Sequence, residues 1–374
     1  MKMSKTNLRI GLYTPYLDTF GGGERYILTI AEFLSRNNQV DILLDNKLVA
    51  WSSCELIKIS NKRFNLNLSK VNLVKAPLGK GSSLIKRSLF LKQYDFLFYL
   101  TDGSVFYSTA RNSIIHFQAP LPNLNKGIWG KKKLSSWNLG ICNSIFTEGF
   151  IKKTWPIKTT IVYPPVDVLK IAKLSSSPTK SSEKKKYILT VGRLLGYKKP
   201  KKHQVLIDTF KKLYDQKLLS GWSLHIAGYI NESEMDELAE IKKDLAKYPI
   251  TFYPNYPYEK LLKLYKQSSI YWHSAGFGVE DPVEMEHFGI TTVEAMAAGC
   301  VPVVINKGGQ REIVEQSKNG FLWNDLEELE NQTIKLVKDT SLRGQLAQNA
   351  IEKAKFFSKE NFCLRIERII GGKN

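Results

Sequence analysis

Short apolar runs recur along the whole chain, each followed by a turn and then by an amphipathic stretch. The run LRIGLY at 8–13 leads into the loop TPYLDTFGGG and the helical pattern ERYILTIAEFLSR, after which comes VDILL at 40–44. A strand, glycine-rich turn, helix and strand in this order imply a parallel pair joined by a right-handed crossover. Further β-type runs lie at VNLV (71–74), YDFLFYL (94–100), NSIIHF (112–117), LGICNS (139–144) and TTIVY (159–163). The first half therefore reads as an open parallel sheet covered by helices.

Between Val168 and Lys186 the pattern gives way to LKIAKLSSSPTKSSEKKK, polar and rich in serine and lysine, so residues 171–186 read as a linker. A second series follows: strands at YILTVG (187–192), WSLHIAG (222–228), TFY (251–253), IYWH (270–273), VPVVI (301–305) and FLW (321–323). Helical stretches lie between them, near 204–218, 232–247 and 258–267, with another beginning near Thr292. The expectation is an α/β protein of two Rossmann-like domains, residues 1–170 and 187–357, with ligands beyond the carboxyl ends of both sheets. A length of 374 residues also favours two cores over one.

Charge sharpens this outline. The net charge is +20; residues 1–174 hold 25 Lys and Arg against 10 Asp and Glu, whereas residues 175–374 hold 30 against 25. Such a field favours an anionic partner: a phosphate-bearing ligand, an acidic lipid surface or nucleic acid. No run of eighteen or more apolar residues and no signal-peptide pattern is present, which points to a cytoplasmic protein. The scattered Cys54, Cys142, Cys300 and Cys363 form no metal-binding spacing and read as free thiols.

Three stretches carry candidate chemistry. Gly21, Gly22 and Gly23 lie between the first strand and the first helix, where backbone amides can approach a phosphate. A dinucleotide fingerprint from Gly21 fails at Tyr26, although Asp45 keeps an NAD-dependent oxidoreductase as a rival. In VGRLLGYKKPKKHQVLI, Arg193 and the lysines at 198, 199, 201 and 202 follow a strand and suit a diphosphate. In EHFGITTVEAMAAG, Thr291 and Glu294 have capping-box spacing with Gly299 as the helix stop, whereas Glu286 lies outside that helix and is not explained by capping.

The spacing from Glu286 to Glu294 and the intervening sequence resemble the E-x7-E signature of retaining family 4 glycosyltransferases. GGGERYILTIAEFL, NSIFTEGFIKKTW with IVYPPVDV, VGRLLGYKKPKKHQVLIDTF and INKGGQREIVEQSKNGFLW resemble four further family segments in the family's order. The run EHFGITTVEAMAAG is most similar to mannosyltransferases that elongate lipid-linked glycans. The resemblance implies a GT-B fold, with two Rossmann-like domains whose parallel sheets face a central cleft. An N-terminal acceptor domain would precede a nucleotide-sugar domain, and a final helix at about 358–374 would pack back on the first.

Carried over by position, Glu294 would bind the ribose hydroxyls and Glu286 would sit by the transferred sugar. Arg193 with Lys201, or with Lys199 or Lys202, would hold the diphosphate. Main-chain groups of Phe288, Gly289, Ile290 and Thr291 would contact sugar and phosphate, as would Gly22 and Gly23 from the first domain. His116, in IIHFQAP, is a candidate sugar contact, Gln118 occupying the position where the family often has histidine; a histidine satisfied in the core is the other reading.

The implied donor is GDP-mannose or a UDP-sugar, with transfer to a glycan or lipid-linked acceptor and no metal cofactor, the chain containing no D-x-D. The carboxylates of Glu280, Asp281 and Glu284 read as a solvated loop, and His273 ends a strand aimed at the same cleft. KGIWGKKKLSSW interleaves lysines with Trp129 and Trp137, and GKGSSLIKRSLFLK at 79–92 is an amphipathic basic run. Both suit peripheral contact with an anionic membrane, and no nucleic-acid motif accompanies the charge.

Overall fold

The computed structural model describes residues 7–17, 21–46, 48, 53–175, 184–194 and 201–372. It divides into two units, Met1–Pro165 with Glu360–Asn374, and Val166–Lys359. Among the described residues the first holds seven strands: β1 (Arg9–Tyr13), β2 (Gln39–Leu44), β3 (Val71–Lys75), β4 (Phe96–Leu100), β5 (Asn112–Phe117), β6 (Leu139–Cys142) and β7 (Thr159–Ile161). All pair in parallel in the order β3-β2-β1-β4-β5-β6-β7, so the winding reverses between β1 and β4. Helix Gly22–Leu34 buries Tyr26, Ile27, Ile30 and Leu34, the three-to-four spacing of one helical face, against the apolar side chains of β1 and β2.

The second unit holds β8 (Lys185–Val191), β9 (Ser223–Gly228), β10 (Ile250–Pro254), β11 (Ser268–His273), β12 (Val301–Ile305) and β13 (Phe321–Trp323). These are parallel in the order β10-β9-β8-β11-β12-β13, reversing between β8 and β11. β11 (SSIYWH) and β12 (VPVVI) are buried along their whole length, as strands covered on both faces are.

Two segments cross between the units. Residues 171–175, which their composition assigns to a linker, instead continue helix Val168–Ser175; residues 176–183 lie outside the described residues. Val168 and Ile171 are buried on one face of this helix, which packs on helices Tyr258–Gln267, Ile290–Ala297 and Thr340–Lys355. The chain returns through helix Lys359–Ile370, whose Phe362, Ile366 and Ile369 enter the core of the first unit. Phe362 meets Tyr26 edge-on with ring centroids 4.8 Å apart. No helix among the described residues is long and apolar enough to cross a membrane.

Candidate active site

Strand β11 delivers His273 to its carboxyl end, and the chain continues into the acidic loop. Glu280, Asp281 and Glu284 are exposed there, and the Asp281 carboxylate accepts from the Val283 N–H at 2.9 Å to close a turn. The loop then brings Glu286 back to the strand end. Glu286 Oε2 accepts a hydrogen bond from His273 Nε2 at 3.0 Å and is ion-paired with the Lys201 ammonium.

The electrostatics of this trio follow from burial and charge. Burial acts to raise the Glu286 pKa, but the Lys201 ammonium and the His273 N–H outweigh it and hold the carboxyl well below the usual carboxylate range. His273 is 2% exposed, and burial lowers its pKa against the pull of Glu286. At neutral pH the group is a carboxylate held between an ammonium and a neutral imidazole that donates through Nε2.

Neighbouring backbone fixes the positions. Gly309 N–H donates to the Glu286 carbonyl at 2.8 Å. Gly308 has φ +59°, and a Cβ there would stand 2.2 Å from the same carbonyl oxygen, so only glycine lets the turn after β12 approach so closely. Ser274 Oγ, one residue past β11, donates to the carbonyls of Lys201 at 2.9 Å and Lys202 at 3.2 Å. Sequence reasoning missed Ser274 and the pairing of His273 with Glu286. The available signal was their place at the end of a central strand, where α/β sites form.

Helix Ile290–Ala297 begins directly beyond this loop, with Gly289 as N-cap at φ 118° and Gly299 at φ +79° ending it. The capping-box assignment of Thr291 and Glu294 is thereby corrected. The helix starts one residue before Thr291 and Glu294 is its fifth residue, beyond reach of the terminus. Glu294 is 3% exposed, and its carboxylate accepts from the hydroxyls of Tyr258 at 3.4 Å and Tyr265 at 3.3 Å. Thr291 Oγ1 accepts from the Tyr271 hydroxyl at 2.8 Å, and Phe288 is buried against Phe357. The first-turn amides of Ile290 and Thr291 have no partner within the helix and form its positive end.

Of the other expected residues, Arg193 and Lys202 line a cavity of the second unit together with Lys201. Arg193 is exposed, with its guanidinium over the Tyr229 ring at 5.8 Å. Lys202 is the N-cap of helix His203–Asp215, and Lys199 lies outside the described residues. Gly22 and Gly23 open helix Gly22–Leu34 in the first unit, where a Cβ on Gly23 would stand 2.9 Å from Leu100. His116 is buried, stacked on Tyr26 with centroids 3.9 Å apart, and donates through Nε2 to Gln118 Oε1 at 2.8 Å. Burial lowers its pKa to about 4, so the ring is neutral and belongs to the core, with half-buried Gln118 as its polar outlet. Asp45, the residue that kept an oxidoreductase in view, instead accepts from the Tyr13 hydroxyl at 2.9 Å and the Leu48 N–H at 3.2 Å.

Comparison with known proteins shows what the chain is similar to. Residues 173–353 match the model of the glycosyl transferases group 1. Over 192 residues the chain is 30% identical to the Xenopus laevis GDP-Man:Man(3)GlcNAc(2)-PP-Dol alpha-1,2-mannosyltransferase, covering 48% of this chain and 37% of that protein. Over 253 residues it is 27% identical to human alpha-1,3/1,6-mannosyltransferase ALG2, covering 62% and 57%. The chain thus spans less than half the length of the first relative and little more than half of the second. Among solved structures, a Rickettsia africae glycosyltransferase superimposes with a TM-score of 0.74 at 16% identity, covering 98% of both chains. Anabaena HepE bound to UDP and glucose gives 0.65 at 18% identity, covering 98% of this chain and all of that one. With two parallel Rossmann-like sheets and these structural neighbours the chain has the GT-B fold, and its second unit is similar to the group 1 glycosyl transferases over residues 173–353.

Proposed function

We propose that the chain is a retaining hexosyltransferase that moves mannose from GDP-mannose to a glycan or lipid-linked acceptor, in the synthesis of a cell-envelope polysaccharide or glycolipid. The observation that supports it best is the ionised Glu286 held by Lys201 and His273 at the end of β11, next in sequence to the glycine-opened helix Ile290–Ala297. The donor base and sugar follow the mannosyl relatives, of which the Xenopus protein is named for GDP-Man.

In this reading the bond from the anomeric carbon to the diphosphate oxygen breaks with its electron pair on the diphosphate. Lys201, Arg193 and the first amides of helix Ile290–Ala297 stabilise the negative charge that develops there, and Glu286 faces the positive charge on the sugar. The acceptor oxygen bonds to the anomeric carbon on the same face and passes its proton to the departing phosphate. Glu294 binds the ribose hydroxyls, joining the hydroxyls of Tyr258 and Tyr265, and Gly22 and Gly23 offer amides to an anion. The protein's own cations carry the leaving group's charge, so no metal is required.

Peripheral contact with an anionic membrane at its cytoplasmic face completes the proposal. Helices Leu84–Leu91 and Gly127–Leu134 expose Leu84, Ile85, Leu89, Ile128 and Trp129, the last two at 84% and 76%, beside Lys131 and Lys132. Apolar side chains with lysines suit a headgroup interface. The deciding experiment incubates the protein separately with GDP-mannose, UDP-GlcNAc and UDP-glucose, with EDTA present, and measures GDP or UDP released. Release from GDP-mannose alone supports the full reading; release from a UDP-sugar keeps the chemistry and changes the donor; binding of NAD with no release from any sugar nucleotide overturns it.

A further inference from the structure

Helix Leu84–Leu91 buries Leu91 and, beside it, a charged residue. Its apolar Leu84, Ile85 and Leu89 face solvent, while Arg87 is 8% exposed. The Arg87 guanidinium lies over the Phe106 ring at 5.3 Å, Nε has no hydrogen-bond partner, and no carboxylate pairs with it among the described residues. Burying an unpaired charge opposes folding, and burial accordingly lowers the pKa of this arginine. A group of this kind is completed by an anion from outside.

Arg87 faces a cavity of about 330 Å³ lined also by Tyr13, Lys80, Tyr99, Phe106 and Lys133. Tyr13 ends β1 and Tyr99 lies near the end of β4, the two neighbours between which the winding reverses, and open α/β sheets bind their ligands at that point. Two carboxylates, Asp45 and Asp102, also line it. Asp45 is engaged by Tyr13 and Leu48, and Asp102 by the Ser104 N–H at 3.0 Å, the Ser104 hydroxyl at 2.6 Å and the Tyr99 hydroxyl at 3.2 Å. Both are thus occupied by neighbouring donors, while Arg87 is not. The cavity also unites the two basic segments of the sequence, Lys80 and Arg87 from one and Lys133 from the other.

We propose that this cavity binds a phosphate or diphosphate group of the acceptor, with Arg87 as the principal contact and Lys80 and Lys133 as the outer cations. The anion site stands on the geometry of the first unit; its assignment to the acceptor rests on the transferase reading above. A guanidinium is suited to the task because its planar fork donates two hydrogen bonds to neighbouring phosphate oxygens.

The test uses the full chain with its donor site filled by excess GDP or UDP, whichever binds. Inorganic pyrophosphate and farnesyl diphosphate are titrated calorimetrically, and flotation is measured with phosphatidylcholine vesicles with and without phosphatidylglycerol. The parent is expected to bind both diphosphates, and Arg87→Met to weaken them about ten- to a hundredfold, as loss of a charged hydrogen-bonding partner does. Nucleotide affinity and melting temperature should be maintained. Tighter binding of farnesyl diphosphate than pyrophosphate identifies a lipid-linked source, equal binding a free phosphate group, and Arg87-dependent flotation only with phosphatidylglycerol a lipid headgroup. If Arg87→Met fails to fold, the surface double variant Lys80→Glu with Lys133→Glu replaces it, with the same loss expected. Undiminished diphosphate binding by the variants, or a lowered melting temperature with binding unchanged, would make Arg87 a packing residue and overturn the proposal. Failure of any nucleotide to bind while Arg87-dependent pyrophosphate binding persists would refute the transferase reading and leave the anion site standing.

Discussion

Glu286 sits in a loop that gives it no capping task, yet it holds two cationic or donor groups at once. Neutralising it without changing its size separates chemistry from packing. Glu286→Gln is expected to lower turnover of the sugar nucleotide about 10²- to 10³-fold, the usual loss when a preorganised charge is removed from a reacting centre. Nucleotide affinity should change far less, and both quantities are read from one steady-state and binding series. Turnover within a few-fold of the parent would reduce the trio to a structural ion pair. The sequence made Glu286 visible because nothing local explained it, and it concealed His273 because a strand histidine thirteen positions away carries no sign of its partner. Glu294 was misread for a local reason. T-x-x-E fits a helix beginning at Thr291, but Gly289 in a left-handed conformation starts the turn earlier, and the carboxylate then points at two tyrosines that spacing alone does not bring near.

At the scale of elements, alternation of short apolar runs and amphipathic stretches was enough to find all thirteen strands of the described residues, because buried parallel strands are largely apolar on both faces. What it lacked was the packing of turns on one another. The KGG turn after β12 presses on the Glu286 backbone, so Gly308→Ala is expected to act at a distance from its own strand. The new Cβ meets the Glu286 carbonyl in a conformation that side chains rarely adopt, at a cost of roughly 1–3 kcal/mol. A lowered melting temperature together with reduced turnover is the expected result, and an unchanged protein would show that the turn yields. Helix Leu84–Leu91 exposes the opposite limit of pattern reading. Its amphipathicity is legible, but the usual rule turns apolar residues inward, and here Leu84, Ile85 and Leu89 are outside while Arg87 is buried with Leu91. Replacing Leu84, Ile85 and Leu89 together by serine should therefore leave the melting temperature nearly unchanged and abolish flotation with phosphatidylglycerol vesicles; a large loss of stability would mean that the apolar side chains serve the fold.

Across the whole molecule, the two units differ in how they respond to acid and to the loss of the returning chain. His116 in the first unit, and His203 and His225 in the second, are each held by burial at a pKa of about 4, against 6.5 for an ordinary histidine. The unfolded chain takes up these protons first, so the stability involved is complete above pH 6.5 and is lost as the pH falls toward 4. Calorimetry over that interval should show falling transitions, the second unit's falling further because it holds two of the three. The returning helix Lys359–Ile370 makes the converse case. Its apolar face is legible, but nothing in its period says which unit receives it. In the structure Phe362, Ile366 and Ile369 complete the first unit's core. Burying each contributes about 1.5–3 kcal/mol, so together they supply roughly 5–9 kcal/mol, comparable with the 5–15 kcal/mol that holds a whole domain folded. A chain ending at Ser358 is therefore expected to lose the first unit's cooperative transition while the second unit, which contains that new end, still melts as a unit and still binds nucleotide. Retention of both transitions would show that the first unit's own side chains close its core.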